Sequence, residues 1–219
     1  MKCYRIRHSL KDTGRKFPQV ETWRGDFNVS DSNYIGNSDN YLKKINGTAI
    51  LPELLLYKSA KLTDLISSSF MGTGDGLILS EKLYKIISNY SGHNQQFFKI
   101  KIHHKDIESD NYWYLHPSST NNDLIDFFES EVWELDSLVK NKRKFFTTSE
   151  EFENETKIGK YPKMLTIDKY VIKNNFPDFF VLNFIEGGIG FFVSENLKND
   201  IEKAGCTGIA FTEPNERYP

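Results

Sequence analysis

The residues of this 219-residue sequence best suited to chemistry are its histidines, two serines placed before glutamates, and one long acidic stretch. His93, His103, His104 and His116, with Asp106, Glu108 and Asp110 nearby, form the one cluster with metal-ligand chemistry. Adjacent residues on a strand point to opposite faces, so His103 and His104 cannot easily share an ion, and no His-x-x-x-His pair supplies two ligands from a helix. They read as solvent-facing histidines at a strand end beside a polar turn, and neither metal nor cofactor is expected. Ser80 and Ser194 each precede Glu. A nucleophilic serine needs a base within reach, an oxyanion site and a small-residue elbow, and neither position has that setting. An N-cap explains both, the hydroxyl accepting from a first-turn amide and the Glu sitting at the positive end of the helix dipole. Gly72-Thr73-Gly74-Asp75-Gly76 lacks the Lys-Ser/Thr ending of a phosphate loop and precedes a strand rather than a helix. Glu186-Gly187-Gly188-Ile189-Gly190 reads as a turn between two strands.

The stretch from Asp123 to Asp136 differs from the rest. It carries Asp123, Asp126, Glu129, Glu131, Glu134 and Asp136 without one basic residue, interleaves Phe127, Phe128 and Trp133, and is followed by Lys140, Lys142, Arg143 and Lys144. One reading is a solvated acidic edge whose aromatics pack inward, balanced by a basic turn. The other is a binding surface on which carboxylates steer a basic partner and an aromatic side chain holds it. On that second reading the contact candidates are Asp123, Asp126, Glu129, Glu131, Trp133 and Glu134, with Trp113 added from the segment Asp106–Tyr114. Carboxylate pairs suited to acid/base work can be picked from any stretch this acidic, so their pairing carries no weight.

These residues need elements to position them. Short strands and loops are expected over the first 40 residues, and Asn46-Gly47, between Tyr41–Ile45 and the apolar run from Ala49, carries the two-residue hairpin signal. Leu77-Ile78-Leu79 reads as a buried strand. Ser80 then opens a helix over Glu81–Tyr90, with Leu83, Ile86, Ile87 and Tyr90 at helical spacing and Gly92 as its end. Strands follow at Gln96–His103, Tyr112–His116, Lys163–Ile167, Phe179–Ile185 and Gly190–Val193, with a short exposed acidic helix at Ser149–Glu155. An internal echo recurs at an offset of 114 residues: Gly74 and Gly76 match Gly188 and Gly190, Ser80-Glu81 and Leu83 match Ser194-Glu195 and Leu197, Ile87 matches Ile201, and Phe97 matches Phe211. Each copy is strand, Ser-capped helix, turn, strand. The expected fold is α+β, a mostly antiparallel sheet with a few helices on one face and two internally similar β-α-β units.

Length and composition bound the rest. A chain of 219 residues with 38% hydrophobic content, 17 Phe, 11 Tyr and 3 Trp can build a real core, expected as a single domain over 1–219 with a strand-and-loop extension at 1–50 and a core at 51–214. Twenty-eight basic against thirty acidic side chains leave a formal charge of -2, no field to draw nucleic acid or an anionic membrane. Cys3 and Cys206 are too few for a disulfide framework and are expected as reduced thiols. The opening Met1–His8 is charged with no apolar run behind it, and the most apolar stretches are interrupted far short of the roughly 20 residues of a membrane helix. The cytoplasm is the expected compartment.

Four stretches together resemble the bacterial immunity proteins of polymorphic toxin systems, particularly the families numbered eleven and forty-three. They are Gly76–Leu83, the strand Gln96–Ile102, the block Tyr112-Trp113-Tyr114-Leu115 through Asp126-Phe127-Phe128-Glu129-Ser130-Glu131, and Phe192–Leu197 through Ala204–Phe211. The similarity spans about residues 50–214, and Asp126 and Ser130 match the family's acidic-to-serine step. The resemblance implies an α+β protein, encoded beside a toxin, that binds the toxin and blocks it, with no catalytic residues. The competing expectations are a small hydrolase or transferase using His103 or His116 with Asp106 or Glu108, and an adaptor domain without a toxin partner. Oligomeric state is left open by the sequence.

Overall fold

The computed structural model describes residues 2–14, 16–69, 75–90, 94–158 and 163–215. Among them the chain runs β1 (Cys3–His8), β2 (Val20–Arg24), β3 (Glu53–Leu56), β4 (Leu65–Ile66), β5 (Leu77–Ser80), α1 (Glu81–Tyr90), β6 (Gln95–His104) and β7 (Ile107–Pro117). It continues through β8 (Ile125–Asp136), β9 (Val139–Lys144), α2 (Ser149–Ile158), β10 (Lys163–Ile172), β11 (Phe179–Ile185), β12 (Gly188–Ser194), α3 (Glu195–Lys203) and β13 (Ile209–Thr212). The fold is α+β and dominated by sheet. The strands divide between two sheets rather than one, a seven-stranded sheet in the order β13-β1-β12-β11-β10-β8-β9 and a six-stranded sheet in the order β2-β3-β6-β7-β5-β4. Pairing is mostly antiparallel, with β10–β11 and β3–β6 parallel. The chain groups into two compact units, Met1–Ile6 with Thr120–Glu195 and Phe211–Pro219, and Arg7–Ser119 with Asn196–Ala210. No described helix is long and apolar enough to cross a membrane.

The two echoing segments fold alike, one in each sheet. β4–β5–α1–β6 and β11–β12–α3–β13 both run strand, antiparallel strand, helix, strand. In both, an antiparallel strand separates the second strand from the last, so the spatial order β4-β5-β7-β6 recurs as β11-β12-β1-β13. Of the matched positions, Gly74 lies outside the described residues, as do His93, Gly92 and most of the glycine-rich loop. The structure extends the echo upstream. Ser80 donates its amide to the Asp64 carbonyl at 2.7 Å and its hydroxyl to Asp64 Oδ1 at 2.6 Å. Ser194 donates its amide to the Asp178 carbonyl at 2.8 Å and its hydroxyl to Asp178 Oδ1. Each aspartate precedes its serine by 16 residues. Ser80 Oγ also accepts from the Leu83 amide at 3.2 Å, the N-cap bond that its position implied.

α1 buries Leu83 and Ile87 and lies beside α3: Tyr90 donates its hydroxyl to Asp200 Oδ2 at 2.5 Å, and Lys82 Nζ reaches the Gly205 carbonyl at 3.1 Å. The core on one face of the seven-stranded sheet gathers Phe127, Val132, Leu165, Ile167, Tyr170, Phe180 and Phe192 around Phe152 of α2. Phe152 is fully buried, its ring 5.0, 5.4 and 5.3 Å from those of Phe127, Phe146 and Phe184. α2 is therefore not a merely exposed acidic helix, because this one aromatic docks it; burying such a side chain contributes about 2 kcal/mol. Its start is a capping box. The Glu151 amide donates to Thr148 Oγ1 at 3.2 Å and the Thr148 amide to Glu151 Oε2 at 3.3 Å.

The six-stranded sheet packs Leu54, Ile78, Ile100, Ile102, Tyr112 and Tyr114 under Tyr34, Ile35 and Ile45 from the loops before β3. The hairpin expected at Asn46-Gly47 does not form, since no strand flanks it. Side chains hold this segment in place of a ladder. Gln96 bonds both the amide and the carbonyl of Ile45, at 2.8 and 3.0 Å, and Asn40 Nδ2 donates to the carbonyls of Ser32 and Tyr34 at 2.7 and 2.9 Å. Leu42 takes a φ of 53°, incompatible with a continuous strand over Tyr41–Ile45.

Candidate interaction surface

The acidic stretch is a strand, β8, carrying a wide bulge. Against β10 the register steps from Glu131 opposite Lys169 to Asp126 opposite Val171, so Phe127–Ser130 face Tyr170 alone. Two side chains build the bulge. Asp126 Oδ1 accepts from the Phe128 and Glu129 amides at 3.1 and 3.3 Å, and Ser130 Oγ donates to the Asp126 carbonyl at 2.5 Å while accepting from the Val171 amide at 3.0 Å. The acidic-to-serine step of the resemblance is thus spent on backbone geometry. Its product is a reversal of direction within one dipeptide: Phe127 turns into the core, and Phe128 stands out at 80% exposure with Glu129 exposed beside it.

Two of the other carboxylates, Glu131 and Glu134, meet cations on neighbouring strands. Glu131 pairs with Lys169 at 3.2 Å, and Glu134 lies 3.5 Å from Lys144, which also binds Glu155 at 2.8 Å. Trp133 is half-buried with Lys140 Nζ 5.5 Å from its ring centre, and Lys140 in turn pairs with Asp168 at 2.6 Å. The Trp133 indole N–H is buried without a hydrogen-bond partner among the described residues. Asp123 is exposed; its carbonyl, not its carboxylate, accepts from Lys173 at 2.7 Å. Each surface pair contributes about 0–1 kcal/mol, and together they offset the charge of Glu131 and Glu134.

The basic run predicted as a turn is strand β9, the outer edge of the seven-stranded sheet. The turn itself is Ser137-Leu138, with φ of 49° and 69°, the two left-handed positions of a type I′ hairpin between Asp136 and Val139. Leu138 and Val139 at this tip are 73% and 69% exposed, and Phe145, just past the root of β9, is 80% exposed with Arg143 5.1 Å from its ring centre. Lys140, Lys142, Arg143 and Lys144 along an edge strand are the usual guard against indiscriminate strand pairing.

Trp113 belongs to the other unit and has a different occupation. Its indole N–H donates to Glu81 Oε2 at 2.5 Å, its ring stacks on Tyr84 at 4.1 Å, and Lys99 Nζ lies 4.3 Å from its centre, so it holds α1 against β7. His103 does not face solvent as expected. It lies 2.7 Å from Glu53 and 3.7 Å from Glu108, with Lys101 bridging the same two carboxylates at 3.6 and 2.8 Å. Lys101 and His103 thus close a charge network between β3, β6 and β7, and Asp106 takes no part in it. His104 is buried on the opposite face, and His116 is buried with Nε2 2.7 Å from the Lys43 carbonyl. Among the described residues no three His, Cys, Asp or Glu side chains are arranged to hold a metal. The thiols of Cys3 and Cys206 are free, and burial pushes both up to about 11. No protein-family model matches the chain, and no curated protein matches it.

Proposed function

We propose that this chain is an immunity protein that neutralises a cognate toxin by binding and occluding it in the cytoplasm, and that the β8–β9 hairpin is the surface it uses. One observation carries the choice of surface: among the described residues the four most exposed large apolar side chains, Phe128, Phe145, Leu138 and Val139, all fall on this hairpin or at its root. They mark its root and its tip, roughly 20 Å apart for a six-residue strand, with Lys142 and Arg143 between. Protruding aromatics ringed by charge are the composition of a binding hot spot and its rim. The class of partner rests on the resemblance of residues 50–214 to immunity proteins. Within this reading Phe128, Glu129 and Trp133 are contact residues, Asp126 is their scaffold, and Glu131 and Glu134 serve the sheet before they serve a partner.

The test is co-expression with the product of the adjacent gene, read by pull-down and by relief of growth arrest. Phe128→Ser with Phe145→Ser removes exposed side chains only, so the variant stays folded. It is expected to weaken the complex by about 2 kcal/mol or more, roughly thirtyfold in Kd. Glu131→Gln with Glu134→Gln is expected to change it by less than about 1 kcal/mol. A folded double-Phe variant that retains full affinity and protection removes the hairpin from this reading. Failure of the parent chain to bind or protect removes the toxin.

A further inference from the structure

A second site lies in the unit formed by Arg7–Ser119 and Asn196–Ala210, under the loop that precedes β3. There the inner face of β7 and the loop segment 35–42 enclose a cavity of about 240 Å³. That is below the roughly 300–1,000 Å³ of sites for drug-sized ligands and far above the room one water needs. Tyr114 and His116, two residues apart and so on the same face of β7, form its floor, their rings stacked at 6.4 Å. Tyr41 and Ser38 line it from the loop, and Asp75 stands exposed at its rim.

Two polar groups here are unspent. Tyr114 is 1% exposed, yet among the described residues its hydroxyl has no hydrogen-bond partner. Gly76 leaves the space it fills, since a Cβ at that position would lie 2.5 Å from the hydroxyl oxygen. The Asp75 carboxylate likewise has neither ion pair nor hydrogen bond among the described residues. Loss of water raises its pKa, and only the nearby His116 works the other way. His116 is already engaged: the Lys43 carbonyl can only accept, so Nε2 carries a proton and donates to it. Burial pushes the His116 pKa below its ordinary value, against the pull of the carbonyls and of Asp75, so the ring is neutral near pH 7. Among the described residues no lysine or arginine lines the cavity. The fixed charge among these residues is therefore negative, and Tyr41, Tyr114 and His116 give the cavity aromatic surface.

We propose that this cavity binds a small organic cation, a guanidinium or primary-ammonium head group. Its charge is met by the Asp75 carboxylate, one N–H is donated to the Tyr114 hydroxyl oxygen, and the aromatic lining faces the cation. Charge and donors both fit: a guanidinium brings only N–H donors, and the unspent groups are a carboxylate and a hydroxyl. The head group can belong to a free small molecule or to an arginine or lysine side chain of another protein, because the recognition chemistry is identical.

The test uses the full chain, folded by its amide NMR spectrum, titrated with methylguanidinium chloride, with the neutral isostere N-methylurea, and with the capped tripeptide acetyl-Gly-Arg-Gly-amide. Saturable shifts at the Tyr114 and His116 amides are expected with methylguanidinium at millimolar affinity, and N-methylurea should bind about tenfold more weakly. Asp75→Asn, a rim substitution that leaves the fold intact, should bring the two to parity. Tyr114→Phe should weaken both without changing their ratio. If the peptide binds as tightly as methylguanidinium, the source is a protein side chain; if it is excluded, the source is a free small molecule. Absence of saturable binding by methylguanidinium, or a cation preference unchanged in Asp75→Asn, overturns the proposal. None of these outcomes bears on the β8–β9 hairpin, so this site and the proposed toxin-binding surface stand or fall separately.

Discussion

The two copies of the strand-strand-helix-strand motif share a skeleton and a clasp, and they differ in what surrounds the clasp. In the first copy Asp64 receives Ser80, and also the Thr207 amide and hydroxyl at 2.8 and 3.1 Å and the Lys82 ammonium at 3.0 Å. In the second, Asp178 receives the amide and the hydroxyl of the fully buried Ser194. The copies also complete their sheets differently. β7 follows β6 through a direct hairpin, whereas β1 reaches the equivalent place from the start of the chain, so that Cys3 lies opposite Ser194 as Tyr112 lies opposite Ser80. The motif is therefore a reusable means of turning a strand into a capped helix. The hairpin lies outside it, inserted between β7 and β10; the cavity takes Asp75 from the β4–β5 connection of the first copy and is closed by a loop before β3. What is repeated builds the frame, and what is inserted around it completes the surfaces.

That comparison can be broken most forcefully at its paired glycines. Gly76 and Gly190 occupy matched positions, and a Cβ at either would collide, but with different things. At Gly76 it would lie 2.3 Å from the Leu115 carbonyl oxygen, which is backbone; at Gly190 it would lie 2.6 Å from the Phe192 ring, which is side chain. Backbone cannot step aside, so Gly76→Ala is expected to cost about 3 kcal/mol and Gly190→Ala about 1–2 kcal/mol in urea unfolding. The reverse order would mean that the two sheets do not tolerate strain as their contacts imply. The clasps themselves come next. Ser194→Ala takes a fully buried hydroxyl from its carboxylate and is expected to cost about 2 kcal/mol, whereas Ser80→Ala leaves Asp64 with Thr207 and Lys82 and should cost about 1 kcal/mol. Equal losses at the two serines would show that the additional partners of Asp64 add nothing.

The residues themselves explain which parts of this molecule could be read from sequence. α1 was legible to the residue, because Ser80, Glu81 and the spacing of Leu83 and Ile87 all state one helix start. The echo was legible for the same reason, yet its clasp was not: Asp64 and Asp178 obey the same offset, but each is bonded across a hairpin, and β4 at two residues is too short to show alternation. β8 hid its strand period because the bulge at Phe127–Ser130 shifts the phase halfway along, and β9 hid its own because an edge strand of Val-Lys-Asn-Lys-Arg-Lys buries nothing. The turn between them carries no Gly or Asn, whereas Asn46-Gly47 carries the hairpin signature and forms no hairpin, Gly47 taking its φ of 104° within a loop. The acidic patch was visible, but the pairing of its Glu131 with Lys169 and Glu134 with Lys144 depends on strand neighbours that only the fold brings together. The cavity had no local signal at all, since its floor and its wall are some 75 residues apart along the chain.

The smallest expected effect is electrostatic and concerns the clasp of the first copy. Burial opposes the charged form of Asp64, but the Ser80 hydroxyl, the Thr207 amide and the Lys82 ammonium outweigh it and hold the Asp64 carboxyl below the usual carboxylate range. A carboxylate with a depressed folded pKa binds its proton more weakly folded than unfolded, so it contributes stability that is present at neutral pH and is lost as pH falls through the folded value. The loss therefore sets in below the unfolded value of about 4 and not at higher pH. Asp64→Asn should lower stability at pH 7 and flatten the acid limb of the unfolding profile. In a carboxyl-carbon NMR titration, Ser80→Ala or Lys82→Met should move the Asp64 midpoint upward. If the midpoint stays where it is in both variants, the neighbours seen around Asp64 are not what holds its proton off.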